Sequence, residues 1–314
     1  MKKILIFGCS GFVGRYVIEE FSSHGYLVYG TDQKNPVGTA RKHLEDFRSI
    51  DLLNFDLVEN YITAIKPDYI INLAAISSVG LSWSIPQTTI NVNVNGSLNI
   101  LESVRKLGLK TKILLVGSSE EYAISDSKIN EEYPINANNP YGISKVTQEQ
   151  FADLYRNEYG MNIINTRTFN HTGIGQPTNF AIPSFVKQVA DIHNSHKSGI
   201  ISVGNLGAYR DLGDVRDMAS AYRMILESDT EKHVFNVGSG NCYHLEEILS
   251  YIVSLSDENI EIHVDPQKLR PLDNPVIWCD NTLLREEIGW FPKFTIYDAI
   301  NSMFNDFTNN SLDE

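Results

Sequence analysis

The segment KKILIFGCSGFVGRYVIEEFSSHG, residues 2–25, constrains the fold more than any other part of the chain. A run without polar residues, ILIF at 4–7, ends on Gly8, and Gly11 and Gly14 follow. Apolar residues then recur at helical spacing until Gly25 stops them. A glycine pattern alone says little. Between a strand and a helix, however, glycines allow a tight turn and bring backbone N–H groups close to a pyrophosphate at the helix N-terminus. Gly8, Gly11, Phe12, Val13 and Gly14 are therefore candidates to hold a dinucleotide.

The alternation continues down the chain. YLVYGTD (26–32), YIINLAA (69–75), KILLVGSS (112–119) and MNIINTRTF (161–169) read as strands, the last of them sixth in order, with a further strand ending at Asp56 in FDL. TTINVNVNGSLNILESVRKLG and PYGISKVTQEQFADLYRNEYG read as helices. Strands that are nearly all apolar and alternate with helices predict a parallel sheet covered on both faces, the doubly wound α/β (Rossmann) class. After about residue 170 the rhythm breaks at the loop HTGIGQPTNFAIP. We expect residues 1–171 to form the dinucleotide-binding domain, with a return segment near 211–238, and residues 172–314 a smaller α/β substrate domain.

Bulk properties exclude several functions. A formal charge of −13 over 314 residues argues against a phosphate-backbone binder. It leaves room for a small anion held by a few arginines. Cys9, Cys242 and Cys279 are odd in number and widely spaced, which favours a reducing, cytoplasmic setting over a disulfide framework. The eight histidines are scattered and no metal site is expected; no apolar run approaches the roughly 20 residues of a membrane span.

Asp32 closes the second strand about twenty residues past the glycines, where a carboxylate accepts hydrogen bonds from an adenosine ribose and repels a 2′-phosphate. NAD is favoured, with NADP possible because Lys34 stands close by. Asp56 with Leu57 is a candidate for the adenine edge, and Leu73, Ala74, Ala75 and Ser77 for close approach to the cofactor. YGISK places Tyr141 and Lys145 on one helix face. A phenol of ordinary pKa ~10 becomes a working acid or base when an ammonium and a cationic nicotinamide favour its ionised form.

These segments together identify the chain as resembling an extended short-chain dehydrogenase/reductase of the nucleotide-sugar epimerase/dehydratase superfamily. The resemblance runs through GCSGFVG, NLAA, the paired serines, YGISK and RTFNHTGIGQ. It implies that Ser118, four before Tyr122, hydrogen-bonds the reacting hydroxyl, and that Asn93 in NVNG is the helix asparagine near the cofactor. FNHTGIGQ, IPSFVKQ, VGNLGAYRDLGDVRD and RPLDNP are similar to the branch of GDP-mannose 4,6-dehydratases and GDP-4-keto-6-deoxymannose reductases. By that similarity Ser78, Asn170, Arg210 and Arg270 would contact the GDP-sugar, and two helical stretches, 87–107 and 140–159, would pair a homodimer.

Glu120 stands where the dehydratases carry the base that removes the C5 proton, but related reductases also keep an acid there. Glu121 would face the opposite way along a strand and is expected to be structural. SSVGLSW and the chain length lean towards a reductase acting on the C4 ketone of a GDP-6-deoxyhexose. A 4,6-dehydratase with retained NAD and a nucleotide-sugar 4-epimerase are the alternatives.

Overall fold

A computed structural model of the protein describes residues 1–36, 38–268 and 274–310. Seven parallel strands form the central sheet: β1 (Lys3–Phe7), β2 (Leu27–Asp32), β3 (Asp46–Ser49), β4 (Tyr69–Asn72), β5 (Lys112–Val116), β6 (Ile163–Thr168) and β7 (Val234–Val237). Their spatial order is β7-β6-β5-β4-β1-β2-β3. Ile4, Leu5, Ile6, Ile70, Ile71, Ile113, Leu114 and Leu115 have no exposed surface, as strands buried on both faces require.

One face is covered by the helices Phe12–Ser23 and Val215–Glu227, which bury Val17, Ile18, Phe21, Met218, Tyr222 and Ile225 with Trp290 against the sheet. The other is covered by Phe55–Ile65, Gly96–Lys106 and Pro140–Tyr159, through Tyr61, Ile62, Ile100, Leu101, Ala152 and Tyr155. A third cluster lies in the later part of the chain, where Phe185, Val189, Ile248, Ile252, Ile300 and Met303 join the helices Ala181–Ser195, Leu245–Val253 and Ile296–Asn310. A second sheet runs Cys242–His244, Tyr209–Asp211, Val276–Cys279 and Lys128–Ile129 in spatial order.

The strand order reverses between β1 and β4, which opens a crevice at their carboxyl ends. Gly8 and Leu73 leave the sheet there side by side. Gly8 has φ +78°, and a Cβ on it would come within 2.6 Å of the Ala74 nitrogen. A Cβ on Gly14 would lie 2.4 Å from the Cys9 oxygen, so the following helix approaches the loop as closely as its backbone allows.

Two local expectations are corrected. Asp56 does not end a strand: residues 55–65 are a helix, and Asn54 caps it by accepting the Leu57 N–H at 3.2 Å. Val58, Tyr61, Ile62 and Ile65 supply its buried stripe at helical spacing. The third strand is the polar DFRS, at the sheet edge with a single neighbour, so no apolar run announces it. Glu121 is not on a strand either. Ser119–Glu121 is one 3-10 turn begun by Ser118, whose hydroxyl accepts the Glu120 N–H.

Candidate active site

The helix Phe12–Ser23 begins at Gly11, and no described side chain caps it, so its first N–H groups are available to an anionic ligand. At the end of β2, Asp32 accepts the Ser10 N–H at 3.1 Å and the Gln33 N–H at 2.7 Å. This carboxylate therefore braces the glycine loop and remains partly exposed beside it. The bare helix end, the close Gly8–Ala74 approach and the carboxylate at the β2 terminus fit a dinucleotide. Phe12 and Val13 lie in the first turn of that helix, and Phe12 stacks on His171 with centroids 6.1 Å apart.

Asn93 is fully buried in a single π-helical turn, Asn91–Asn95, within the helical run from Pro86 to Lys106. Its side chain accepts the Ile76 N–H at 2.8 Å, donates to the Ile76 oxygen at 3.2 Å and donates to the Ser144 hydroxyl at 2.8 Å. One amide thus fastens the segment holding Leu73–Ser77 to the helix that carries Tyr141 and Lys145. Asn72 adds to this by accepting the Ala74 N–H and donating to Ser97.

Ser118 follows β5, and Tyr141 opens the Pro140–Tyr159 helix above it. Burial pushes the Tyr141 phenol up, the hydrogen bond with Ser118 pulls it down, and Glu121 and Glu120 raise it. The lowering expected from Lys145 falls to Ser118 instead. The Lys145 ammonium donates to the Val116 oxygen at 2.6 Å and to Gln148 Oε1 at 3.2 Å, and burial brings its pKa down to about 8. Buried charge with few partners explains that shift.

Glu120 lines a cavity of about 830 Å³ together with Ser78, Asn170, Arg210, Trp83 and Lys268. Its Oε2 accepts from Asn139 Nδ2 at 2.8 Å, while Asn139 Oδ1 caps the Tyr141 helix by accepting the Gly142 N–H at 2.9 Å. Ser78 caps the short helix Val79–Ser84. Arg210 is mostly buried and donates to the Tyr209 oxygen. Arg270 lies outside the described residues. Asp56 and Leu57 are exposed in the Phe55–Ile65 helix, whereas Ile50, Asp51 and Leu52 directly follow β3 at the carboxyl edge.

Sequence reasoning passed over Asn139, His171, Asp51 and Lys268. The cap at Asn139 was readable from its place before Pro140; its grip on Glu120 was not, because it joins segments 19 residues apart. Among the described residues, no three His, Cys, Asp or Glu side chains gather as a metal site, and no helix is long and apolar enough to cross a membrane.

The family profile described as GDP-mannose 4,6 dehydratase matches residues 5–303. A GDP-6-deoxy-D-mannose reductase from Pseudomonas aeruginosa is 26% identical over 100% of this chain and 99% of its own length. A GDP-mannose 4,6-dehydratase from Vibrio cholerae is 26% identical over 96% of this chain and 92% of its own. Among solved structures, RMD from Pseudomonas aeruginosa complexed with NADPH superposes with a TM-score of 0.87 at 25% identity, covering 99% of this chain and 100% of that one. UDP-glucose 4-epimerase from Bifidobacterium longum in complex with NAD+ and UDP gives 0.87 at 25% identity, with 99% of each chain covered. A glycine loop at the switch of a seven-stranded parallel sheet, a Ser–Tyr–Lys group beside it and a profile match across nearly the whole chain place this protein in the GDP-mannose 4,6-dehydratase family of extended short-chain dehydrogenases/reductases.

Proposed function

We propose that the protein is an NAD(P)-dependent nucleotide-sugar oxidoreductase that reduces the C4 ketone of a GDP-4-keto-6-deoxyhexose. What supports this is Ser118 just past the carboxyl end of β5, with Tyr141 opening the neighbouring helix and its buried phenol lowered by Ser118, next to a cavity lined by Glu120 and Arg210. End-to-end correspondence with a GDP-6-deoxy-D-mannose reductase supports reduction over dehydration.

A bound nicotinamide coenzyme supplies the hydride. Gly8, Gly11, Phe12, Val13, Gly14 and Asp32 would hold it, together with Leu73, Ala74, Ala75 and Ser77. Ser118 holds the C4 oxygen and Tyr141 gives it a proton, which prevents an alkoxide from building up in a dry site. Lys145 keeps positive charge beneath the phenol, and Arg210 meets the diphosphate with a fork that suits phosphate oxygens. The Asp32 carboxylate favours NAD over NADP. In this reading residues 1–171 and the return segment near 211–238 form the coenzyme-binding lobe, and residues 172–314 form the sugar-nucleotide lobe. Pairing of β7 with β6 supports that division. Exposed Ile90, Ile143 and Leu154 on the Pro86–Lys106 run and the Pro140–Tyr159 helix support a homodimer.

A second reading rests on Glu120, whose carboxylate reaches the cavity and is held by Asn139, as a base for 4,6-dehydration requires. The deciding experiment offers the protein a GDP-4-keto-6-deoxyhexose with NADH or NADPH, and separately GDP-mannose with no added reductant. Coenzyme consumption matched by GDP-6-deoxyhexose is the expected result. A 4-keto product formed from GDP-mannose alone overturns the reductase reading.

A further inference from the structure

Directly beneath Ser118 lies a buried carboxylic acid, Glu121, that the reaction outlined above does not use. Glu121 has no exposed surface, and its Oε1 accepts the Ser118 N–H at 2.7 Å. Room for that oxygen exists only because residue 117 is glycine: a Cβ there would lie 2.4 Å from Glu121 Oε1 and 2.5 Å from the Thr166 oxygen. Lys145 grips the same three residues from the other end, through the Val116 oxygen at 2.6 Å. A carboxylate and an ammonium thus hold opposite ends of the Val116–Ser118 segment.

The second oxygen, Oε2, has no hydrogen-bond partner among the described residues and faces Arg167 Nε at 4.0 Å. Arg167 itself, on β6, is engaged by Glu149 through Nε and Nη2, by the Tyr122 hydroxyl at 3.0 Å and by the Glu131 oxygen at 2.9 Å. Glu149 comes from the same helix as Lys145. Glu121, Glu149, Arg167 and Lys145 thus form a largely buried group of two carboxyls and two cations, with Glu131 also acting on Arg167, Arg156 on Glu149, and Tyr122 and Tyr141 as the neighbouring phenols.

We propose that Glu121 is a positioning residue whose carboxylate both fixes Ser118 and holds Lys145 in its charged form. The protonation states of the two residues are consequently linked. The proposal rests on the part given to Lys145 in the reductase reading, but its test does not depend on turnover. Burial pushes Glu121 up to about 8, with Glu149 adding to the rise, while the Ser118 N–H, Arg167 and Lys145 oppose it. Burial brings Lys145 down to about 8, with Glu121 opposing. Geometry decides between the forms. A neutral Glu121 would put its O–H on an oxygen that faces a guanidinium with no acceptor in reach, whereas the ionised form faces a cation. Losing one of two mutually compensating buried charges leaves the other without a counter-charge, which is costly.

Glu121→Gln keeps an oxygen for the Ser118 N–H and removes the charge. The experiment follows Lys145 by 13Cε–15Nζ NMR as pH is varied in the unliganded protein, with Lys145→Arg to assign the signal. The expected result is a Lys145 midpoint lower by about one pH unit or more in Glu121→Gln, partly restored in Glu121→Asp. An unchanged midpoint overturns the proposal. Should Glu121→Gln not fold, the Glu121 13Cδ signal of the wild-type protein is read over the same range. A response coinciding with the Lys145 titration supports the linkage, and its absence overturns it. Failure of catalysis with a shifted midpoint would sink the reductase reading and leave this proposal standing.

Discussion

At the scale of single residues, burial rather than proximity to charge dominates Tyr141, Lys145 and Glu121. Tyr141 is raised by desolvation and lowered by Ser118; Lys145 is brought down to about 8 by the same desolvation. Since a depressed lysine is an ammonium below its pKa and neutral above it, the Lys145 charge is present at neutral pH and lost as pH rises through about 8. The kcat/KM of the free enzyme should therefore fall on the alkaline side of about pH 8, and a pH–rate profile checks it. A profile flat to pH 10 would show that the Lys145 charge plays no part. Replacing Asp32 by a neutral residue frees the Ser10 N–H as well as removing charge, so it tests loop bracing and coenzyme choice together.

At the scale of elements, the Tyr141 helix is aimed by its ends and neighbours. Asn139 caps it and holds Glu120; Asn93 reaches it from a π-helical turn through Ser144. Asn139→Ala removes both the cap and the hold on Glu120. The expected outcome is a stability loss of about 1 kcal/mol by urea unfolding together with a fall in kcat. A stability loss alone, with kcat unchanged, would mean that Glu120 needs no such hold. The turn from β5 into Ser119–Glu121 is equally specific: Gly117 admits the Glu121 carboxylate, and Ser118 begins the turn.

For the whole molecule, Asp211 ties the parts around the cavity. Its carboxylate accepts the Ser239 N–H and hydroxyl, the Gly240 N–H and the Cys279 N–H, which joins the strand bearing Arg210 to the turn after β7 and to Val276–Cys279. Outward, Ile143 and Leu154 lie eleven residues apart on one helix face and are each 48% exposed. Apolar groups placed this way call for a partner surface. Sedimentation velocity should find a dimer in the wild-type protein and a monomer in Leu154→Glu; a monomeric wild-type protein removes the dimer proposal.

The parallel sheet, its glycine loop and the Tyr–Lys helix were legible in the chain because each is written in local periodicity or in a short spacing. The polar edge strand Asp46–Ser49 was not, since its one neighbour asks for no apolar run, and the helix at 55–65 was misplaced for want of that landmark. By itself the order of residues determined which groups are candidates for chemistry: Tyr141 and Lys145 through their spacing, Ser118 and Glu120 through the family resemblance. Only the tertiary structure decided what stands behind them. Glu121 and Lys145 meet the same segment from different elements, Arg167 reaches Glu121 and Glu149 from a third, and Asn139 joins Glu120 to the Tyr141 helix. Side chains far apart in the chain are brought together by the packing of helix on sheet, and the shielding from water that shifts their protonation exists only once that packing is complete.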